Sequence, residues 1–333
     1  MFDKKIKLKV LCDAEAKRFQ NNVSKNKCMY KECNNKPIDS HCFQKSMLEK
    51  SLSDEEGMVY CWTINGVAKG IRRGEETFFS KEHINKAGVF KGFCGEQHDA
   101  QLFKLIEVKD YVEKASLEEY SFLYAYRNLC HFLWEEKAIL TNNNDTFEKY
   151  YSNPVIEKVK AFCKAEINEI ITKLSKGIDF KKYENLKKLF EKYILEDGTV
   201  NPELGNEFKL FIYPLKKEIF FASLACKEQS EWGVNYPISF GIIPQFQNKP
   251  SLFYIIAHKE DSYFFNELVE KSENNNDFKQ NIVLKCTSNT IIHPKLFEKL
   301  ESTGELEKFY EFISSSGYED YAEYLGFNFF VEL

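Results

Sequence analysis

Four residues of this chain have the types and the spacing of zinc ligands. Cys28 and Cys33 are separated by four residues, as in a tight turn, and Cys94 and His98 by three, as on the first turn of a helix. Structural zinc sites use thiolate sulfur and imidazole nitrogen in a tetrahedral arrangement. We therefore predict one structural zinc ion held by these four residues. The alternative is a coincidental spacing, since 60 residues separate the two halves.

A histidine between the two halves could do chemistry beside the metal. His41 follows Cys33 by eight residues, in the segment Asp39-Ser40-His41. Histidine changes its charge near neutral pH, so the question is whether His41 does chemistry beside that metal. The alternative is a buried histidine that supports the zinc site through a hydrogen bond. Cys42, the next residue, is a candidate substitute ligand.

These motifs resemble the HNH (ββα-metal) endonuclease family over about residues 28–105. In that family a zinc knuckle is followed by an Asp-His pair, and a second cysteine-containing turn leads into a helix that bears another histidine. His41 corresponds to the histidine of the pair, with Ser40 where the family has aspartate, and Gln97 stands where the family has a second cysteine. The resemblance implies a treble-clef zinc module and a metal-dependent nucleic-acid endonuclease.

The resemblance also implies a mechanism and leaves one ligand open. His41 Nε2 would remove a proton from water, which attacks a phosphodiester while magnesium or another divalent ion neutralises the phosphate and the leaving oxygen. His98 is either the fourth zinc ligand or the histidine that holds the catalytic ion. Asp99 would be a hard oxygen ligand in the second case, and otherwise a favourable charge in the first turn of a helix.

A function from a different class fits the same residues. A zinc module can act without catalysis, as a zinc-finger adaptor that binds nucleic acid or a protein partner. In either function the C-terminal part of the chain would contact a substrate or a protein partner. The chain has neither a phosphate-cradling glycine loop nor a nucleophile elbow, so the motifs of two common enzyme classes are missing from the sequence.

The charge of the chain restricts nucleic-acid binding to a local surface. The formal net charge is -5, which excludes a protein covered by positive potential. The first 50 residues, however, hold twelve Lys or Arg against six Asp or Glu, and Arg72 and Arg73 extend this basic excess. We predict that Arg72 and Arg73 contact DNA or RNA. The alternative is a solvated, lysine-rich surface.

The sequence also predicts a cytoplasmic protein with no membrane partner. No apolar run approaches the about 20 residues that span a bilayer, and the N-terminus lacks the apolar segment of a signal peptide. In a reducing compartment the ten cysteines are thiols or metal ligands rather than disulfides. Six of them have apolar neighbours and are predicted to fill core positions: Cys12, Cys61, Cys130, Cys163, Cys226 and Cys286.

The predicted fold class is α+β in three parts. Residues 1–110 would form the HNH-like zinc-binding module, residues 111–200 a helical segment and residues 201–333 a C-terminal α+β domain. The sheet of this last domain is expected to be mostly antiparallel, because the connections between its first strands are too short for crossover helices.

Two local patterns predict strands in the N-terminal part. Residues 4–12 alternate charged and apolar side chains, which favours a half-buried strand. Asn65-Gly66 is typical of a two-residue hairpin turn, which residues 67–79 would complete.

Other patterns predict helices. Residues 98–107 carry an apolar face at helical spacing, and Ser116 with Glu119 forms a capping box at the start of a longer helix. Within that helix Tyr126-Arg127-Asn128 predicts a buried polar contact. Further helices are predicted at 147–175, 180–195, 262–272, 294–301 and 305–316. Strands are predicted at 208–213, 219–226, 237–243, 252–258 and 282–286.

Overall fold

The fold is known from a computed structural model, which describes residues 4–22, 27–75, 77–141, 179–228, 235–287, 289–314, 326–331 and 333. The predicted helices at 147–175 and the predicted core residue Cys163 lie outside these ranges. Within them, no helix combines the length and the apolar character needed to cross a lipid bilayer.

The N-terminal half combines short strands with helices of very different lengths. Its α-helices are α1 (Lys4–Asn22), α2 (Lys45–Met47), α3 (Ile64–Arg73), α4 (Lys104–Glu107), α5 (Lys109–Lys114) and α6 (Leu117–Thr141). Two π-helical segments occupy Leu48–Leu52 and Gly95–Ala100. Its strands are β1 (Asp39–His41), β2 (Met58–Trp62), β3 (Phe79–His83) and β4 (Val89–Lys91).

The C-terminal half supplies most of the large sheet. Its strands are β5 (Phe208–Pro214), β6 (Phe221–Lys227), β7 (Ile238–Ile243), β8 (Leu252–His258) and β9 (Asn289–Ile292). Its α-helices are α7 (Phe180–Tyr193), α8 (Ser262–Ser272), α9 (Asn276–Cys286), α10 (Pro294–Ser302) and α11 (Glu305–Ser314).

Seven strands form one sheet in the order β3-β2-β9-β6-β7-β8-β5, and every neighbouring pair is antiparallel. The α+β class and the antiparallel sheet are therefore confirmed. The sheet crosses the predicted boundaries, because Cys61 of β2 pairs with Ile291 of β9. A second, two-stranded sheet joins β1 and β4.

Helices pack against both faces of the large sheet. On one face α6 covers β5 to β8, in a core that includes Leu224 and Tyr254. On the other, α9 packs on β6 and β7 in a core that includes Phe240, Phe253 and Ile282. Because residues of β8 alternate between these two cores, all seven are buried, and the strand is an apolar run up to Ala257 in the sequence.

The predicted strand at residues 4–12 is wrong, since these residues lie in helix α1. Lys and Leu are good helix formers, so the alternating pattern does not oppose a helix. The helix is completed by contacts that only the tertiary structure supplies: it packs against α3 and α6 and buries Cys12, Ala14 and Ala16.

The predicted hairpin at Asn65-Gly66 is also wrong, because both residues lie in the first turn of α3. Thr63 is the N-cap residue of this helix, and its Oγ1 accepts a hydrogen bond from the Gly66 N–H at 3.1 Å. A Cβ atom on Gly66 would lie 2.4 Å from the Ser80 Oγ of β3. The glycine is therefore needed for close packing of the helix on the strand rather than for a turn.

The predicted strand at residues 282–286 is wrong as well, because it forms the end of α9. The Asn275 side chain caps this helix by accepting from the Phe278 N–H at 2.9 Å. Ile282, Val283 and Leu284 are all buried. A short apolar run fits a buried helix as well as a strand, so periodicity alone could not separate the two.

The capping box at the start of α6 is confirmed. The Ser116 N–H donates to Glu119 Oε2 at 2.8 Å, and the Glu119 N–H donates to Ser116 Oγ at 3.1 Å. The helix that follows contacts both β4 of the small sheet and four strands of the large one. It therefore joins the predicted zinc region to the main core.

Candidate metal centre

Backbone hydrogen bonds hold the knuckle from Cys28 to Cys33 beside the end of β4. The Cys33 N–H donates to Tyr30 O at 3.1 Å and closes the turn. The Met29 N–H donates to Gly92 O at 2.9 Å. These bonds bring the first pair of predicted ligands to the start of the segment that carries the second pair.

The β1–β4 sheet continues this connection. The Ile38 N–H donates to Phe93 O at 2.8 Å, and the buried Ser40 Oγ accepts from the Phe93 N–H at 3.3 Å. In the register of the two strands Asp39 is opposite Lys91 and His41 is opposite Val89. Ser40, which stands where the resembled family has aspartate, therefore joins the two strands and is not among the four residues whose ligand atoms converge.

The four predicted zinc ligands converge on one point. The ligand atoms of Cys28, Cys33, Cys94 and His98 all lie within 4.8 Å of one another. The Cys33 and Cys94 sulfurs are 3.8 Å apart, and His98 Nδ1 lies 3.3 Å from Cys28 Sγ and 3.2 Å from Cys94 Sγ. A tetrahedral zinc ion requires about 3.8 Å between sulfurs and about 3.6 Å between sulfur and nitrogen. The donor set and its spacing fit zinc, with Nδ1 as the histidine ligand.

The electrostatics of this group favour a cation at its centre. Burial, with a smaller contribution from the charges of Cys94 and Cys33, raises the pKa of the Cys28 thiol to about 12. Without a cation, Cys28 would therefore stay protonated at neutral pH. Zinc binding converts such thiols to thiolates with release of protons.

Neighbouring side chains orient the ligands without belonging to the group. The Tyr30 ring packs against the His98 ring with centroids 4.7 Å apart. Asn35 Nδ2 donates to Gln97 Oε1 at 2.6 Å and approaches Cys94 Sγ at 3.9 Å. Gln97 thus positions Asn35 beside a ligand.

Cys42, the candidate substitute ligand, is not part of the group. It is fully buried, and its thiol lies near the side chain of Asn289. Burial raises its pKa well above the usual value for a thiol. Among the described residues the metal-ligand group with this geometry contains Cys28, Cys33, Cys94 and His98.

His41 lies on β1, outside the four-residue group, and is half-buried. Its Nε2 is 3.2 Å from the carbonyl oxygen of Ile84. A carbonyl can only accept, so Nε2 carries the proton and Nδ1 carries the free lone pair of the neutral ring. With this hydrogen bond the neutral ring would accept a proton at Nδ1 rather than at the expected Nε2, and the role of His41 as a base stays a prediction. Burial lowers the pKa of His41, which keeps the ring neutral at pH 7.

Asp99 and Arg127 lie close enough to His41 to affect its pKa in opposite directions. Burial has the largest effect on this pKa and the Ile84 hydrogen bond the next largest. The Arg127 charge then lowers the pKa, and the Asp99 charge raises it. Arg127 is only 1% exposed and forms an ion pair with Glu107. It lies 3.6 Å from Asp99 Oδ1, an oxygen without a hydrogen-bond partner in the described part of the chain. The charge of Asp99 therefore reaches His41, and a catalytic role for the two residues stays a prediction.

The buried polar contact predicted from Tyr126-Arg127-Asn128 is present at Arg127. Its guanidinium lies 4.1 Å from the centre of the Phe103 ring as well as beside two carboxylates. Sequence reasoning did not identify the partners, Glu107 and Asp99. A lone arginine in an aromatic helix was the signal, but it does not reveal which acidic residues the fold brings to it.

The two arginines predicted to contact nucleic acid lie on α3. Arg72 forms an ion pair with Glu15 of α1 at 2.7 Å, and Arg73 is exposed. Neither lines the large cavity that adjoins the Cys28 side of the metal-ligand group. A role in nucleic-acid binding stays a prediction for both.

Comparison with protein-family models, with curated proteins and with solved structures finds no match to this chain.

Proposed function

We propose that Cys28, Cys33, Cys94 and His98 hold a structural zinc ion in a treble-clef module, and that this module is the hydrolytic site of an HNH-type endonuclease. The order of its parts carries the proposal. A knuckle is followed by β1 with His41, by β4, and by the turn from Cys94 to His98 that leads into helices. This order supports the resemblance, because it leaves His41 free of zinc on the strand where a general base is expected.

The environment of His41 suits a general base. Its pKa is lowered by burial, so the ring is neutral at pH 7 and Nδ1 can take a proton from water. The Ile84 carbonyl holds the ring by its Nε2–H and stabilises the imidazolium that forms. The resulting hydroxide would then attack the phosphorus of a phosphodiester, the P–O bond to the leaving oxygen would break, and that oxygen would take a proton from solvent.

Asp99 and Arg127 would act on the phosphate. Asp99 Oδ1, which has no hydrogen-bond partner among the described residues, is a hard oxygen that magnesium or a similar ion accepts as a ligand. Such an ion, when bound, neutralises charge on the phosphate and the leaving oxygen. Arg127 adds a fixed positive charge in a buried setting, where charge stabilisation is stronger than in water.

One observation favours the alternative of a non-catalytic zinc-finger adaptor. Arg127 faces both Asp99 and Glu107, so a positive side chain already balances the carboxylates beside His41. In that function His41 and Arg127 would stabilise the module, and zinc would support a surface for nucleic acid or a protein partner.

Cleavage of DNA and RNA by the full chain, with magnesium or manganese, separates the two functions. We expect cleavage by the wild type and a loss of about 100- to 10,000-fold in His41→Ala, the range for a positioned acid–base group. Zinc content should stay at one ion per chain. His83→Ala, a change at an exposed histidine of β3, is the matched control and should keep the activity.

Absence of cleavage of either polymer by the wild type would exclude the endonuclease and leave the adaptor. Full activity in His41→Ala would remove His41 from the mechanism. If His41 only supports the zinc site, the same variant should lose zinc, and its cleavage activity should follow the folded fraction.

A further inference from the structure

A large basic cavity lies beside the knuckle, between it and helices α6 and α7. Its volume is about 860 Å³, and Cys28 of the metal-ligand group is in its wall. The lysines that line it come from the knuckle, from β4 and from both helices: Lys27, Lys31, Lys91, Lys137, Lys187 and Lys188. Among the described residues, the carboxylates that line it are those of Glu32, Glu184 and Glu191.

Two of these carboxylates are neutralised by ion pairs with lysines of the cavity. Because more lysines than carboxylates line the cavity, its charge remains positive. Glu184 pairs with Lys137 at 2.9 Å and Glu191 pairs with Lys187 at 2.5 Å. In contrast, the ammonium groups of Lys27, Lys31 and Lys188 form no ion pair within the described part of the chain, although the Lys31 N–H donates to Glu191 Oε1 and the Lys188 charge lowers the pKa of Glu184.

These three free lysines are all exposed. Lys27 donates to the neutral Asn34 side chain at 2.7 Å, and the Lys31 ammonium lies over the Tyr30 ring. The cavity therefore has a local positive charge on a chain whose net charge is -5.

The cavity leads towards His41 along the small sheet. Asp39, His41, Val89 and Lys91 project from one face of the β1–β4 pair, because Ser40 and Phe90 are buried on the other. Lys91, at the edge of the cavity, pairs with Asp39 at 2.5 Å. The pair of His41 and Val89 lies two residues along the strands from the pair of Asp39 and Lys91, which is a distance of about 7 Å. An extended ligand in the cavity would thus continue to the base.

We propose that this cavity binds the sugar-phosphate backbone of a single-stranded nucleic acid and directs it to His41. The inference rests on the proposed function for its direction towards a hydrolytic site. Its size is that of a small-molecule pocket, which admits a short piece of one strand rather than the width of a duplex. Lysines along a groove with aromatic side chains are the general means of binding such strands. Trp134 lines this cavity, and its indole N–H has no hydrogen-bond partner among the described residues.

Binding of labelled oligonucleotides of about twelve nucleotides, DNA and RNA, tests the site by fluorescence anisotropy. The full chain carries His41→Ala so that the probe stays intact. One variant adds Lys27→Gln, Lys31→Gln and Lys188→Gln, and the matched control adds Lys209→Gln, Lys216→Gln and Lys295→Gln. The control lysines are also exposed and lie outside the cavity.

The cavity variant should bind the single strand about 100-fold more weakly at 0.1 M salt, since each lost phosphate contact removes about 0.7 from the slope of log K against log salt. The slope itself should fall by about two, while the control variant should match the parent. Equal affinity and slope in the two variants would overturn the proposal, as would equally tight, lysine-dependent binding of a duplex.

Substitution of Lys27 and Lys31 could disturb the knuckle itself, so a second variant leaves both in place. Lys188→Glu changes a residue of α7 that is far in sequence from the ligands, and zinc content reports whether the site is intact. It should weaken binding with one zinc ion retained; unchanged binding would count against the cavity. Lysine-dependent binding by a wild type that cleaves nothing would refute the endonuclease and leave the strand site in place. Cleavage by the wild type, with binding that does not depend on these lysines, would refute the strand site and leave the endonuclease in place.

Discussion

The small sheet beside the metal-ligand group and the large sheet differ in how much of their order comes from packing. β1 and β4 pair over three residues each, with Asp39 and Lys91 at the solvent edge. β5 and β8 pair over seven residues, and all of β8 is buried. Three residue pairs cannot stabilise a two-stranded sheet alone, whereas the large sheet is covered by helices on both faces.

This difference indicates where the metal would contribute. The knuckle is not without a core, because Tyr30, Phe90 and Phe93 are buried beside it and Phe90 packs on α6. These contacts position the segments, but the four ligands are what would hold the turn from Cys28 to Cys33 against the turn at Cys94. We therefore expect the two regions to respond differently to metal removal, core truncation, acid and loss of a helix cap.

The largest effect should follow loss of a zinc ligand. Structural zinc contributes on the order of 10 kcal/mol in small zinc domains, so Cys33→Ser should release the ion and unfold the knuckle. The large sheet should persist, because none of the four ligands lies in it. Hydrogen exchange at the Met29 and Ile38 amides, with zinc analysis, measures the change.

Cys226→Ser is the matched control, since Cys226 is buried in β6 and lies outside the ligand group. It should keep one zinc ion per chain and lose about 0.5–3 kcal/mol, as core substitutions do. Protein purified without chelators that contains no zinc, or equal shifts in Tm for the two variants, would contradict the metal assignment.

Truncation of a core side chain should destabilise the large sheet more than the metal-ligand group. Phe240→Ala removes a fully buried ring from the centre of the large sheet and should lower the free energy of unfolding by about 3–5 kcal/mol. The folded fraction should retain its zinc. Chemical denaturation measures the loss, and Lys216→Ala, at an exposed loop residue, should stay within about 0.5 kcal/mol of the wild type. A variant that loses zinc while the sheet remains folded would show that the two regions are more tightly coupled than the packing indicates.

Acid should destabilise the fold through His131, which lies where α6 packs against the small sheet. Burial lowers the pKa of His131 from 6.5 to about 4, although Glu135 lies 3.4 Å away and raises it. Above pH 6.5 neither state binds this proton, so His131 has no effect there. Between pH 6.5 and 4 the unfolded chain binds it first, and stability should fall by up to about 3 kcal/mol.

His131→Phe removes this group while keeping a ring against Phe90, whose centroid is 5.2 Å from that of His131. The difference in free energy of unfolding between pH 7 and pH 4.5 should therefore be smaller in the variant than in the wild type. Identical pH dependence would mean that His131 is not the buried neutral group described above.

The smallest effect should come from the cap of α6. Ser116→Ala removes the oxygen that accepts from the Glu119 N–H and should cost about 1 kcal/mol. Glu119→Gln keeps the reciprocal bond to the Ser116 N–H and should cost less. Because α6 contacts both sheets, the loss should appear in thermal unfolding of the whole chain with zinc retained. Equal losses in the two variants would mean that the hydroxyl is not the important half of the box.

Sequence reasoning identified features that depend on residue type at short spacing. The pairs Cys28/Cys33 and Cys94/His98 each lie on one local turn, so their spacing alone predicted a shared site. The capping box at Ser116 and the strands at 208–213 and 252–258 are local in the same way. Each of these patterns depends on residues close together in the sequence, and each forms the predicted local structure in the folded chain.

The tertiary structure decided whatever depended on a partner far along the chain. Residues 4–12 and Asn65-Gly66 became helical because α1 and α3 pack on each other, which no local pattern records. The gathering of Arg127 with Glu107 and Asp99, and of knuckle lysines with those of α6 and α7, joins residues that are distant in sequence. Local spacing predicts the ligand group of a metal ion, whereas a hydrogen bond to Ile84, 43 residues along the chain, decides which nitrogen of His41 is free, and the tertiary structure gathers the lysines of the cavity.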